Sequence, residues 1–239
     1  MANLVHSQPT IQMVDDIQAF VSPWSWQWAE ENEAAIAENW ERRKKQLPFI
    51  FDGDVLLARD PAIKGGICSL DLFTVKYSQM LGALDLESSD RNIWNVFAMG
   101  ALRGSDNAYI CAVMGEETAN KGQIYFPAGT PDHSDLGADN SVDMKESMLR
   151  ELQEETQIIN GFEISPQWMI IAEWPRLALF RIIEFPDTAQ NVADRIEENL
   201  KRQEDPELSG AYIIRSRNDI VKDKMPLYLQ RFFNHVFPE

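Results

Sequence analysis

Alternating and continuous apolar positions predict several strands in the second part of the chain. Two apolar runs within 95–115 lie on either side of residues 104–107, whose Gly, Ser, Asp and Asn are typical of a hairpin turn. Two further apolar runs, over 168–174 and 176–185, are separated at Pro175, and a shorter run covers 211–216. We therefore predict a hairpin, a second pair of strands and a late single strand.

The first part of the chain has a mixed periodicity. Positions 14–22 fit a short amphipathic helix, and positions 22–46, with Pro23 near their start and a basic last turn, fit a long one. Asp52-Gly53 between apolar runs at 49–60 predicts a hairpin, and 69–86 changes from a strand pattern to a helix pattern. We therefore divide the chain into a Trp-rich N-terminal extension, 1–94, and a main domain, 95–239.

One helix of the main domain has a clear start. Asp143 is followed three residues later by Glu146, which is the spacing of an N-cap with a capping box, so the helix is expected to begin at Met144. Met148 and Leu152 then face a sheet, and two further helices are predicted over 189–203 and near the C-terminus. Strands interleaved with helices predict a layered α/β fold with a mixed sheet.

The composition limits the kinds of partner. The chain has 22 basic and 38 acidic residues, a net charge of −16, which disfavours binding to nucleic acid or to an anionic membrane. Cys68 and Cys111 lie in apolar stretches and are expected to be free buried thiols. No signal-peptide pattern and no apolar run approaching 18 residues is present, so we expect a cytoplasmic protein.

The segment RELQEETQI contains an unusual concentration of acid. Glu151, Glu154 and Glu155 are three and four residues apart, so their carboxylates lie on one helical face and repel each other by a few tenths of a kcal/mol per pair. They also lie near the predicted end of the helix, where the helix dipole disfavours negative charge by roughly 0.3–1 kcal/mol each. This face therefore requires a positive charge.

The same segment resembles the core of the Nudix box, whose pattern is G-x5-E-x7-R-E-U-x-E-E-x-G-U with U aliphatic. The matching residues are Arg150, Glu151, Leu152, Glu154, Glu155 and Ile158, and Gly129 in YFPAGTPD resembles the first glycine. The resemblance covers roughly 95–239 and implies an α/β/α sandwich with a mixed sheet. It further implies a hydrolase that cleaves the pyrophosphate bond of a small nucleoside diphosphate derivative with Mg²⁺ or Mn²⁺, hard cations that prefer carboxylate oxygens.

The resemblance assigns roles to individual residues. Glu151, Glu154 and Glu155, with the carbonyl of Ala128, are the implied metal ligands. The implied catalytic set is Arg150, which would orient a glutamate, Glu154, Glu155 and Glu207. Glu207 precedes a late strand, where family members place a further ligand or general base, but a solvated loop acid is an equally good interpretation. Asp132 and Asp135 in the inserted loop are weaker candidates, because loop acids usually face water.

The part of the Nudix box that precedes the helix, from Gly129 onward, departs from the family pattern. Gly129 and Arg150 are 21 positions apart instead of 14, so the loop has seven extra residues. Counted back from Arg150, the pattern's first glutamate falls on Val142, and the adjacent Asp143 has a simpler role as the N-cap. Gln157 stands where the pattern has its second glycine, so the helix is expected to lack a favoured left-handed terminator.

Substrate recognition is less clearly indicated. Gly129, Arg103, Lys121 and Arg176 are candidates for contacts with phosphate or base, although each of the three cations also fits an ordinary surface role. The histidines form no triad with a nucleophile, and His133 is a weaker candidate from the inserted loop. That loop and the N-terminal extension are the candidates for substrate choice or for a homodimer contact.

Three hypotheses fit these observations. The first is the metal-dependent hydrolase. The second is a Nudix-fold module that binds a ligand without hydrolysing it, which the altered Val142 and Gln157 positions favour. The third is an interaction protein whose acidic helix is merely solvated. Against the third, the acids of 195–204 alternate with Arg and Lys, whereas RELQEET has one base for three acids.

Overall fold

The fold is built on one extended sheet network. The computed structural model describes the backbone of residues 2–3 and all of residues 9–238. Within these residues the strands are β1 Ala2–Asn3, β2 Thr10–Val14, β3 Asp16–Val21, β4 Asp54–Lys64, β5 Ile67–Lys76, β6 Ile93–Arg103, β7 Tyr109–Met114, β8 Ile124–Tyr125, β9 Ala128–Gly129, β10 Ser141–Val142, β11 Glu163–Glu173, β12 Arg176–Glu184 and β13 Leu208–Ile214.

Helices connect and cover these strands. They are α1 Gln27–Glu31, α2 Glu33–Gln46, α3 Tyr77–Asp85, α4 Met144–Thr156, α5 Ala189–Leu200 and α6 Leu227–Val236, with 3-10 turns at His133–Asp135 and Arg217–Asp219. Helix α4 contacts β6 and β9, α5 contacts β7 and β13, and α6 contacts β11. Among the described residues, none of these helices has the length and apolar character needed to traverse a bilayer.

The sheet is mixed, as predicted for an α/β fold. Its main path runs β10-β3-β5-β4-β6-β12-β11-β2, and β7, β8, β9 and β13 attach on β6 or on each other. The pairs β3–β5 and β6–β12 are parallel, and the remaining pairs are antiparallel. The predicted hairpin β6–β7, the pair β11–β12, the late strand β13 and the change from β5 to α3 are confirmed.

Two predictions for the first part of the chain are wrong. Residues 14–22 are not helical, because β2 pairs with β11 and β3 pairs with β5, so distant strands satisfy their backbone groups. Asp52-Gly53 does not form a hairpin turn, because the Asp52 carboxylate accepts hydrogen bonds from N and Oγ of Ser78 at 2.8 and 2.9 Å. The hairpin is instead β4–β5, with Gly65 and Gly66 at φ 58° and 78°.

The predicted long helix is divided. It is divided into α1 and α2 at Asn32, whose φ of −113° and ψ of 17° are not helical. The tryptophans of this segment cover a second, smaller core beside the main one. The Trp24 ring packs edge-on against Phe73 at 4.6 Å, and the Trp40 ring packs against Tyr77 at 6.2 Å.

The N-terminal region shares its strands with the rest of the sheet. Strand β4 pairs with β6 through Ala58 and Trp94, and β2 forms the far edge beside β11. The predicted boundary at residue 94 lies inside β6, and the division into two domains stays a prediction. Cys68 and Cys111 are free and buried, as expected.

The inserted loop is held by the N-terminal region. Pro131 O accepts from Leu56 N at 2.8 Å, and the loop forms β10, which pairs with β3. His133 Nε2 lies 2.9 Å from Thr74 Oγ1, so this histidine is engaged with β5. His235 lies in α6, and His6 lies outside the described residues.

Candidate functional site

Helix α4 carries the acidic cluster and has well-defined ends. The Asp143 carboxylate accepts from the backbone N–H groups of Lys145 and Glu146 at 2.9 and 3.1 Å, which confirms the N-cap. At the other end Gln157 adopts φ 58°, the left-handed conformation, at a cost of about 1 kcal/mol for a residue with a Cβ. The expectation that the helix lacks a left-handed terminator is therefore wrong.

Two glutamates of α4 lie against the short strand β9. Glu155 is 4% exposed, and its Oε1 accepts from Ala128 N at 3.3 Å. The Glu151 carboxylate lies against the next residue, because a Cβ built on Gly129 would be 2.2 Å from Glu151 Cδ. Position 129 therefore requires glycine to let Glu151 approach the backbone.

Arg150 supplies positive charge to this face. Its Nη1 lies 2.9 Å from Glu151 Oε1 and 3.0 Å from Glu154 Oε2. Its Nε and Nη2 donate to the two oxygens of Asp135 at 3.3 and 3.2 Å, a two-pronged contact. The Arg150 guanidinium thus contacts three carboxylates, and within residues 9–238 no cation forms an ion pair with Glu155.

Asp135, which was only a weaker candidate in the sequence analysis, lies in this cluster. Its side chain is only 5% exposed and also accepts from Ser147 Oγ at 3.1 Å. Val142 does not take the place of the pattern's first glutamate, because it is a buried residue of β10 paired with Ala19. Counting forward from Gly129 puts the pattern's acid at position 135, so the seven extra residues follow this acid.

Burial and mutual repulsion alter the ionisation of the two inner glutamates. Burial raises the pKa of Glu151 to about 7; Arg150 opposes the shift, and Glu154, Asp135 and Glu207 add to it. Burial raises the pKa of Glu155 well above its usual range; the negative charges of Glu151 and Glu207 act in the same direction, and the Ala128 N–H opposes it. The site is therefore short of positive charge.

The donor set has the chemistry of a divalent-cation site. Glu155 Oε2 is buried and has no hydrogen-bond partner, and hard oxygen donors suit Mg²⁺ and Mn²⁺. Over residues 9–238, however, no three His, Cys, Asp or Glu side chains converge on a common point at which an ion would bind. Arg150 occupies part of the space between the acids. The cluster therefore resembles a divalent-cation site in its oxygen donor atoms and in its burial.

The remaining acids of the predicted set lie at the edge of this cluster. The Glu154 side chain is 58% exposed and contacts Arg150. Glu207 is exposed, and its backbone carbonyl accepts from Gly115 N at 2.7 Å. Because its charge affects the pKa values of Glu151 and Glu155, Glu207 lies within electrostatic range of the cluster.

The predicted substrate-binding cations are dispersed. Arg103 lies at the end of β6, beyond the residues that pair with β9, and forms an ion pair with Glu184. Lys121 forms an ion pair with Glu116. Arg176 lines the cavity next to β9. Substrate-binding roles for Arg103 and Lys121 stay predictions.

A cavity of about 520 Å³ adjoins the acidic cluster. Strand β9 forms one edge, and α3, β6, the turn between β11 and β12 and the start of α6 supply the walls. The size is within the range of small-molecule sites in proteins, about 300–1,000 Å³. The acids and the cavity thus adjoin each other at Ala128 and Gly129.

Comparisons with known proteins give remote similarities. No protein-family model matches the sequence, and no curated protein matches it. The structure is similar to the MutT protein from Methanosarcina mazei Go1, with 14% identity, 59% of this chain and 91% of that chain covered, and a TM-score of 0.38. It is also similar to the Bacillus subtilis pyrophosphohydrolase BsRppH, with 14% identity, coverage of 53% and 65%, and a TM-score of 0.27. The Nudix resemblance therefore rests on the motif residues and their geometry.

Replacing Asp135 by Asn tests its contact with Arg150. The neutral amide keeps the shape but loses the charge opposite a half-buried guanidinium, so the free energy of unfolding is expected to fall by about 1–3 kcal/mol. Urea unfolding measures this change. Asp139→Asn is the control, because Asp139 is an exposed acid of the same loop whose side chain accepts hydrogen bonds from N and Oγ of Ser141. Equal small effects of both changes would contradict the assigned contact.

The raised pKa of Glu151 predicts a pH dependence for the metal-free protein. The folded state holds this proton up to a pH of about 7, whereas the unfolded chain releases it near 4.5, so stability falls as the pH rises between these values. Urea unfolding in EDTA should show that the free energy of unfolding falls between pH 5 and 8. This fall is expected to be smaller by about 2 kcal/mol in Glu151→Gln than in the wild type. An identical pH profile in wild type and variant would refute this account.

Proposed function

We propose that the chain is a metal-dependent, Nudix-type hydrolase of the pyrophosphate bond in a nucleoside diphosphate derivative or a similar organic pyrophosphate. The observation that carries the proposal is the pair Glu151 and Glu155, which lie against β9, Glu151 partly buried and Glu155 buried with one oxygen unpaired. The cost of leaving a buried carboxylate oxygen without a partner is avoided if a ligand completes the site. The adjoining cavity offers space for the rest of a substrate.

Glu151 and Glu155 would hold the ion, with Glu154 and the Ala128 carbonyl as further oxygen donors. Mg²⁺ or Mn²⁺, when bound, would neutralise the diphosphate and lower the pKa of the attacking water. Arg150 would orient Glu151 through their contact at 2.9 Å, and Asp135 would fix Arg150. These are positioning roles, because neither side chain needs to touch the substrate.

Glu207 is the proposed general base. It is exposed and within electrostatic range of both inner glutamates, so its carboxylate would accept the proton of a water molecule at the edge of the site. Gly129 would let the diphosphate approach the backbone closely, as it lets Glu151 do. Arg176 in the cavity is the proposed contact for a phosphate group.

A second function has an observation in its favour. Arg150 already neutralises part of the charge of Glu151 and Glu154, and residues 9–238 contain no converged set of three ligands. A module that binds an organic pyrophosphate without hydrolysing it would need no catalytic ion. The unpaired oxygen of Glu155 and the raised pKa values oppose this alternative.

Activity measurements distinguish the two functions. Purified protein is incubated with a panel of organic pyrophosphates and Mg²⁺, and phosphate is detected after a coupled phosphatase step. We expect turnover of at least one compound, with Glu155→Gln and Glu151→Gln lower by roughly 10²-fold or more because each removes a charged ligand while keeping its shape. Glu198→Gln, in the exposed face of α5, is the matched control and should be fully active.

Other outcomes of the same experiment would contradict the proposed hydrolase. Turnover that persists unchanged in Glu151→Gln and Glu155→Gln would refute the roles assigned to the acidic cluster. An unreactive panel together with pyrophosphate-induced shifts in thermal unfolding would support the binding module. In both cases circular dichroism of the variants establishes that the fold is intact.

A further inference from the structure

Tyr125 is a buried side chain in the wall of the cavity beside the acidic cluster. It is 8% exposed and lines the cavity together with Ala128 and Gly129, the two residues of β9 that contact Glu155 and Glu151. A phenol has one O–H to donate and an oxygen that can accept. The surroundings of Tyr125 therefore determine which group receives its proton.

The backbone on both sides of Tyr125 is firmly held. In β8, Tyr125 is paired with Ala112 of β7. Successive side chains of an extended chain point to opposite sides, and Phe126, the next residue, is fully buried in the main core. The Phe126 ring lies 5.4 Å from the ring of Phe232 and 5.7 Å from that of Phe233. With this anchor behind it, the Tyr125 ring keeps a defined position in the cavity wall.

A hydrogen bond from Asn120 orients the Tyr125 hydroxyl. Asn120 Nδ2 donates to Tyr125 Oη at 3.1 Å, so the oxygen acts as the acceptor and its own proton is left to be donated elsewhere. Within residues 9–238, Tyr125 Oη makes no other hydrogen bond. Glu155 Oε2 does not receive the proton, because this oxygen is itself without a partner in the same residues. The O–H of Tyr125 is therefore a donor without an acceptor.

The charges around Tyr125 keep this group protonated. Burial raises the pKa of Tyr125 well above its usual range; the hydrogen bond from Asn120 opposes the shift, and the negative charges of Glu155 and Glu207 add to it. The hydroxyl thus lies within electrostatic range of the acids and remains a neutral donor. Because Arg150 is already engaged with three carboxylates, a neutral O–H is a suitable partner for an anion that enters this site.

We propose that Tyr125 is a catalytic residue that donates a hydrogen bond to a nonbridging oxygen of the substrate diphosphate, and that Asn120 is the positioning residue that directs this donation. The proton stays on Tyr125 throughout, and the hydrogen bond stabilises the negative charge of the phosphate oxygens. The proposal rests on the proposed function for the identity of the anion as a diphosphate.

Binding of methylene diphosphonate tests the donor role without any reaction, because its bridging carbon prevents hydrolysis. Isothermal titration calorimetry is carried out in Mg²⁺. Tyr125→Phe keeps the ring and removes the O–H, so binding is expected to be about tenfold or more weaker, as for the loss of a hydrogen bond to a charged group. Tyr212→Phe is the matched control and should bind as the wild type does, because the Tyr212 hydroxyl donates to Asp219 O at 3.1 Å and lies outside the cavity lining.

Two results of this titration would overturn the proposal. The first is equal binding of methylene diphosphonate by the wild type and a folded Tyr125→Phe protein. The second is the absence of binding by the wild type, since the acceptor that the proposal requires would then not enter the site.

A spectroscopic measurement tests the contact in a protein that keeps the hydroxyl. Fluorotyrosine is incorporated at position 125 alone, and its ¹⁹F resonance is recorded with and without methylene diphosphonate in Mg²⁺. The resonance is expected to shift on binding, whereas fluorotyrosine at position 212 should give an unchanged signal. An unmoved resonance at position 125, with the diphosphonate bound, would overturn the contact.

The role of Asn120 is tested by a double-mutant cycle with Tyr125. Asn120→Ala is expected to weaken methylene diphosphonate binding by about threefold or more in the wild-type background, and to have no further effect in Tyr125→Phe, because Asn120 acts through the Tyr125 hydroxyl. A merely structural role of Asn120 would give the same loss in both backgrounds. That result would overturn the positioning role.

The outcomes separate this proposal from the proposed hydrolase. Diphosphonate binding that depends on the Tyr125 hydroxyl, without turnover of any pyrophosphate, would support the donor and refute the hydrolase. Turnover that is lost in Glu155→Gln and unchanged in Tyr125→Phe would support the hydrolase and refute the catalytic role of Tyr125 alone.

Discussion

The central constraint in this structure is a local shortage of positive charge. Two carboxylates of α4, the buried Glu155 and the partly buried Glu151, lie against the backbone of β9. The guanidinium of Arg150 is shared among Glu151, Glu154 and Asp135. Glu155 accepts from the Ala128 N–H, and its other oxygen has no hydrogen-bond partner within residues 9–238. Burial of charge without compensation is costly, so the protein is most stable when protons or a cation occupy this site.

Much of the remaining architecture holds this arrangement in place. The inserted loop brings Asp135 to Arg150 and then forms β10, which pairs with β3 of the N-terminal region. Pro131 of the same loop is bonded to Leu56 in β4. The loop between β9 and α4 thus connects the acidic helix to strands near the start of the chain. The N-terminal region also contributes α3, one wall of the cavity, so it contacts both halves of the candidate site.

Local signals in the sequence predicted the elements whose interactions are local. The N-cap of α4, the turn at 104–107 and the pair β11–β12 depend on neighbouring residues, and each is confirmed. The strands β2 and β3 were missed because their partners, β11 and β5, lie far along the chain, and no local pattern shows which edge is free. Tertiary pairing then outweighs the amphipathic pattern of 14–22.

The site was predictable in part for the same reason. Three glutamates on one helical face indicate an unmet charge, whereas the contact between Asp135 and Arg150 spans 15 positions and depends on how the loop folds. Counting forward from Gly129 places the pattern's first acid at Asp135, whereas counting back from Arg150 leads to Val142, so Asp135 was predicted only as a weaker candidate. The cavity draws its walls from segments as distant as Tyr77 and Tyr228, so no motif predicts it.

The most direct test of this account is the binding of Mn²⁺, followed by electron paramagnetic resonance of the free ion. The account predicts saturable binding to the wild-type protein at pH 8, strong weakening in Glu155→Gln, and no change in Glu198→Gln, whose glutamate lies on the exposed face of α5. Binding that is absent, or that is the same in wild type and Glu155→Gln, would contradict the claim that the buried acids form a cation site.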